Sequence, residues 1–261
     1  ELKDDFMFGL IMHDPKYVKP FLEMILKIKI RKVVYPQSQK SIDLSANAKA
    51  IRLDVYVEDD QNTVFNLEMQ TSDNRNLPKR MRYYQGVIDL NILQKGQDYT
   101  KLKKSYVIFI CTFDPFGEGR HIYTFCNICQ ENTALTLDDD AVKIILSTKG
   151  TMDDVSPEMK RILDYIDGKG ASDEYTKQLE EAVRSARQNE SWRLGYMTLE
   201  YEYRQRYEEG LKEGEETGIA KTNERSIRKL YKRGESIASI AEFVELDEEA
   251  VKRIIKAMGL E

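Results

Sequence analysis

Hydrophobic and polar residues alternate strictly along two short stretches of this chain. Ile51, Leu53, Val55 and Val57 interleave with Arg52, Asp54 and Tyr56. After a polar turn through Asp59, Asp60, Gln61 and Asn62, the residues Phe65, Leu67 and Met69 interleave with Asn66, Glu68 and Gln70. A period of two is the mark of a strand whose two faces meet different surroundings, so the pair reads as a β-hairpin. The antiparallel register that sets Asp54 against Glu68 also sets Arg52 against Gln70, whereas a slip of one residue sends the two acids to opposite faces.

Elsewhere the spacing turns helical. From Asp4 to about Lys29, Phe6, Met7, Leu10 and Ile11 recur at helical intervals, and Phe21, Leu22, Ile25 and Leu26 repeat the pattern after Pro15 and Pro20. Leu77 to Leu93 reads as a helix with Arg80 and Tyr84 four apart on one face. Ser105 to Thr112 is a near-continuous apolar run, expected as a strand buried on both faces, and Phe113-Asp-Pro-Phe-Gly117 ends it. His121 to Phe125 and Ala141 to Ser147 add two more strands, which predicts an α/β core with a mixed sheet flanked by helices over residues 1–155.

Beyond Ser156 the pattern is helical and charged: Glu158 to Ile166, Glu174 to Arg187 and Trp192 to Glu209 form an extension over 156–209. Trp192, Leu194, Met197 and Leu199 are placed to pack on the core or on a partner chain. Gly210, Gly214 and Gly218 punctuate a segment, 210–224, that reads as either a helix or a linker. Residues 225–261 form a small helical module in which Ser236 to Ile255 resembles a helix-turn-helix pair, with Ile237, Ile240, Ala241, Val244, Leu246, Val251, Ile254 and Ile255 as its core. Its second helix opens on Asp247, Glu248 and Glu249, acids that face phosphates badly, so DNA reading and oligomerisation both stand as roles for it.

The 261 residues are 41% hydrophobic and 33% charged, a balance that excludes a disordered chain. No apolar run is long enough for a membrane span or a signal peptide, and Cys111, Cys126 and Cys129 are too few and too uneven for a disulfide scaffold. Both readings place the protein in the cytoplasm, away from the membrane. The net charge of −5 conceals a basic window: between Asn74 and Lys104, eight lysines and arginines face only Asp89 and Asp98. Arg75, Lys79, Arg80, Arg82, Lys101, Lys103 and Lys104 are therefore candidate phosphate contacts, since steering depends on the local field.

Two carboxylates opposed across a hairpin, with Cβ atoms about 5 Å apart, repel unless a proton or a cation sits between them. Magnesium is the natural cation, because it takes oxygen ligands and is often held by one or two carboxylates. The same spacing also fits two acids on a solvated face.

Asp54, the hairpin and Glu68-x-Gln70 together resemble the signature of the Rpn family of recombination-promoting nucleases, also labelled PD-(D/E)XK nuclease family transposases. Lys3-Asp-Asp-Phe-Met-Phe8, Arg80-Met-Arg-Tyr-Tyr84, Lys95-Gly96 with Tyr99, and Ser105-Tyr-Val-Ile-Phe-Ile110 resemble further stretches of that family in the same order. Leu53 replaces the proline of the named motif and Gln70 its lysine. The resemblance implies a restriction-endonuclease-like PD-(D/E)XK core with a helical C-terminal extension. It implies a magnesium-dependent DNA endonuclease, with manganese as an alternative ion, linked to DNA recombination and transposase-like functions. In that reading Asp54, Glu68 and the Met69 carbonyl bind the metal, Gln70 orients the attacking water, and Asp5, or else Asp4, is the third acid. DNA is the implied partner, with homo-oligomerisation through the C-terminal helices. The alternative is a catalytically inactive nuclease-fold protein that binds DNA or assembles.

Overall fold

The computed structural model describes residues 1–35, 41–42 and 51–260, and within 41–42, 51–52 and parts of 190–216 it describes the backbone without every side chain. The N-terminal helical stretch is two helices, α1 (Asp5–Met12) and α2 (Pro15–Leu26). Asp4 caps α1 by accepting the Met7 N–H at 3.0 Å, and Asp14 caps α2 by accepting the Lys16 N–H at 2.8 Å. Pro15 stands at the start of α2, where its missing N–H goes unneeded, and that is why the helical pattern breaks there.

The strands β1 (Val33–Val34), β2 (Ser41–Ile42), β3 (Ile51–Arg52), β4 (Val55–Asp59) and β5 (Val64–Gln70) follow, then α3 (Leu77–Ile92), β6 (Ser105–Cys111), β7 (Ile122–Phe125) and β8 (Ala141–Ser147). Six of them form one mixed sheet in the order β1-β4-β5-β6-β8-β7, with β5, β6 and β8 parallel and the outer pairs antiparallel. The expected hairpin register holds, with Val55 opposite Leu67 and Val57 opposite Phe65. Its first strand is broken, however: β3 pairs with β2, and the chain leaves the ladder at Leu53 and Asp54 before β4 begins. The Arg52 side chain, and with it the expected Arg52–Gln70 pairing, lies outside the described residues.

Helices cover both faces. Phe65, Leu67 and Met69 of β5 and Ile108 and Ile110 of β6 share a core with α1, α2 and the helices α4 (Pro157–Ile166) and α5 (Glu174–Gln188). On the other face α3 contributes Leu77, Met81, Tyr84 and Ile88 to a second core with Tyr56, Val107 and Phe109. By alternation Asn66, Glu68 and Gln70 point to this α3 side.

Residues 1–192 form one compact unit and 193–261 another. The second contains most of α6 (Glu190–Tyr231), with α7 (Ile237–Val244) and α8 (Glu248–Ala257). Gly210, Gly214 and Gly218 lie inside continuous helix, and a Cβ built at any of them meets nothing within 4 Å. Ile227, Ile240, Val244, Val251 and Ile255 close the module's small core, and Asp247 spends its carboxylate capping α8 through the Ala250 N–H. The side chains of Trp192, Leu194 and Leu199 lie outside the described residues, while Met197 is exposed.

Candidate active site

The two hairpin acids are tied together through the main chain. The Asp54 N–H donates to a Glu68 carboxyl oxygen at 3.2 Å, and the Met69 N–H donates to an Asp54 carboxyl oxygen at 3.1 Å. The break in the first strand makes this exchange possible, because Asp54 stands outside the ladder and its N–H is directed at a side chain. Glu68 is only 1% exposed, and all seven residues of β5 are buried. The solvated-face reading of this acid is thereby overturned: α3 roofs the polar face of the strand. Burial, and next the Asp54 charge, hold the Glu68 carboxyl protonated well above its ordinary value of 4.5.

Arg80 is the centre of the charge balance. Its guanidinium Nη2 lies 3.6 Å from the Glu68 carboxylate, its Nη1 donates to Gln70 Oε1, and its Nε and Nη2 donate to the Tyr84 hydroxyl at 3.1 and 3.0 Å. The same group lies 5.2 Å from the centroids of both the Phe109 and Tyr84 rings, within cation–π range. Gln70 Nε2 donates in turn to the Ser72 carbonyl. An amide has two donor hydrogens and two acceptor lone pairs, so one of each remains on Gln70 for a water. Four residues of spacing between Arg80 and Tyr84 announced their shared face; nothing in the sequence announced that Arg80, unlike Arg75, Lys79 and Arg82, turns inward.

An open cleft of about 580 Å³ wraps the carboxyl end of β5, lined by Asp4, Asp5, Met69, Gln70, Thr71 and Arg80 among others. The first helix thus brings its acids to the same cleft as the hairpin's last residues. Among the described residues no group of three or more His, Cys, Asp or Glu gathers as a metal site, so Asp5 and Asp4 do not join Asp54 and Glu68 in one cluster. A divalent ion fits the donor set nonetheless. Two oxygen ligands, one kept protonated only by burial and by its neighbour's charge, suit a hard cation that takes the place of that proton, with the Met69 carbonyl and water completing its shell.

The remaining basic residues separate into two groups. Arg75, Lys79 and Arg82 are exposed, just before and within the first turns of α3, next to the cleft residue Arg80. Lys101, Lys103 and Lys104 precede β6, where the Lys104 carbonyl accepts the Val64 N–H at the opposite end of β5. Six strand steps of about 3.3 Å put them roughly 20 Å from Gln70. Lys103 is further engaged by Glu58 at 2.7 Å, and Lys104 by Asp140 at 3.8 Å.

A mixed sheet between helices, with an acid pair and a glutamine–arginine couple at the carboxyl end of a central parallel strand, defines an α/β fold of nuclease type. The chain matches the PD-(D/E)XK nuclease family transposase over residues 3–214 and belongs to that family. No curated protein and no solved structure matches it. PD-(D/E)XK nucleases generally use divalent metal ions. Among the described residues no helix is long and apolar enough to cross a membrane.

Proposed function

We propose that this protein is a metal-dependent DNA endonuclease that hydrolyses phosphodiester bonds, with Asp54 and Glu68 as the metal-binding acids. The observation that carries the reading is the buried Glu68 carboxyl, cross-bonded to Asp54 and compensated by Arg80, which with the adjoining Met69 and Gln70 lines an open cleft. Burying an acid beside another acid costs stability, and a cost kept at a strand end beside a cleft points to use. A bound magnesium or manganese ion would acidify a water and neutralise charge at the scissile phosphate. To hold the ion Glu68 would release its proton to solvent; Arg80 would then pair with an ionised Glu68 and keep Gln70 fixed, and Gln70 would turn its remaining hydrogen-bond capacity to the water. Asp5 or Asp4 faces the cleft from α1 as a further acid. The inactive alternative draws on one observation, the engagement of both ends of the Gln70 amide. A supercoiled-plasmid nicking assay with magnesium, manganese and chelator decides between them: metal-dependent nicking is expected, and its absence with both ions would sink the enzyme reading.

Arg75, Lys79 and Arg82 are proposed to carry the DNA. Replacing all three should flatten the log–log salt dependence of DNA binding, measured in calcium, by close to three units. Replacing Lys101 and Lys104 should leave the slope as it is. Equal effects from the two sets would mean that the whole window grips DNA.

The C-terminal helices are proposed to assemble the protein into a homo-oligomer, with α6 supplying a long exposed surface that includes Met197, Tyr201, Leu211 and Ile219. Removing residues 193–261 should leave unit 1 folded and monomeric, its mass by light scattering dropping by more than the deleted residues weigh. A loss equal to the deleted mass would reject the assembly role.

A further inference from the structure

Gly9 sits in the middle of α1, buried, in ordinary helical conformation. Glycine is the poorest helix former after proline, so an interior position with no need for positive φ calls for another reason. The reason is contact. A Cβ built on Gly9 would lie 3.1 Å from the Asp54 carbonyl oxygen, 3.7 Å from its carbonyl carbon and 4.0 Å from its Cα. All three nearest atoms are main chain of a single residue, and that residue is the acid at the break between β3 and β4. Gly86 of α3 shows the contrast, with nothing within 4 Å of its would-be Cβ.

Resting on the nuclease reading, we propose that Gly9 is a positioning residue for Asp54: by lacking a side chain it lets α1 lie against the Asp54 backbone and fixes where that carboxylate stands. Buried packing on both sides resists a retreat of the helix or the strand as a whole. On the helix side Phe8 and Met12 are fully buried and Ile11 nearly so; on the strand side Leu53 and Val55 are buried. The give of a few tenths of an ångström that a Cβ demands therefore falls on Asp54 itself. Asp54 passes it on, because its N–H holds Glu68 and its carboxylate holds the Met69 N–H. The same helix carries Asp4 and Asp5 to the cleft. One close contact thus sets the hairpin acids against the helix acids.

The test is Gly9→Ala, with Gly86→Ala as the control on an open helix position. In chelator, hydrogen exchange should speed up at the Asp54 and Met69 amides while the β6 amides of Phe109 and Ile110 keep their protection. A general loss of stability would instead speed all four. The nicking kcat should fall about tenfold to a hundredfold, in line with the cost of sub-ångström misplacement, with DNA binding in calcium unchanged. Gly86→Ala should match wild type on every readout. Unchanged exchange at Asp54 and Met69 in a folded Gly9→Ala protein, or a uniform rise at all four amides, would overturn the proposal. If the variant does not fold, wild type decides: magnesium should slow exchange in α1, at His13 whose N–H donates to the Gly9 carbonyl, together with Met69, and slowing at Met69 alone would overturn it. A wild type that never nicks would refute the nuclease reading and leave the exchange comparison to judge Gly9 by itself.

Discussion

Glu68→Gln and Asp54→Asn should each abolish cleavage, by about a thousandfold or more as for a lost metal site, while the protein stays folded and the stability advantage of Glu68→Gln over wild type grows as pH rises. The sign follows from the raised Glu68 pKa. Between 4.5 and its higher native value the folded protein keeps a proton that the unfolded chain has released, so wild-type stability falls as pH rises through that window. Glutamine does not titrate, so the variant escapes the fall. The loss on the other side is the Arg80 contact, and magnitudes decide which wins. The Arg80 side chain is 33% exposed and recovers water when its partner goes, whereas Glu68, 1% exposed, gains no hydration when it ionises. Relief of the buried charge should therefore exceed the lost ion pair, by about 1–2 kcal/mol at pH 8. That raises the melting temperature by several degrees in a unit of this size. Asparagine at 54 keeps an oxygen for the Met69 N–H and removes the charge that, after burial, does most to hold Glu68 protonated. Thermal melts from pH 4 to 8 beside the nicking assay check both halves; a variant that cleaves at the wild-type rate removes the site.

The hairpin was legible because a period of two fixes register: once Val55, Val57, Leu67 and Phe65 share an inner face, Asp54 and Glu68 can only be partners. What alternation cannot report is what lies over the other face. Asn66, Glu68 and Gln70 look like a solvated edge in one dimension, and they are buried because α3, starting seven residues later, folds back across them. The break at Asp54 was equally hidden, since Ile51 to Val57 alternates without interruption while its ladder partners change from β2 to β5. Charge counting found the basic window but could not divide it. Its division depends on β6 running parallel to β5, which carries Lys101, Lys103 and Lys104 to the end away from Gln70. Gly9 left a signal that was readable in principle: a glycine within a helical run of apolar residues, where propensity alone disfavours it.

The Gln70–Arg80 couple suggests how the site does without the lysine of the named motif, and a charge exchange tests it. Arg80 reaches across from α3 and places its guanidinium on Gln70 and beside Glu68, so the positive charge is present but is delivered from another element. Gln70→Lys alone then adds a second cation against the first and deletes the oxygen that accepts from Arg80. Arg80→Gln alone strips Glu68 of its counter-charge and leaves the Gln70 carbonyl oxygen without its donor. Each single change should lower kcat by about tenfold to a hundredfold, the usual cost of breaking a partly buried charged contact. Combining Gln70→Lys with Arg80→Gln restores one cation beside Glu68 and one amide to meet it. The double variant should therefore outperform either single variant, with a coupling energy above about 1 kcal/mol in a cycle built on kcat, and the same direction in the melting temperature. Strictly additive losses would mean that Arg80 serves only to pack against Tyr84 and Phe109, and that Gln70 acts without it.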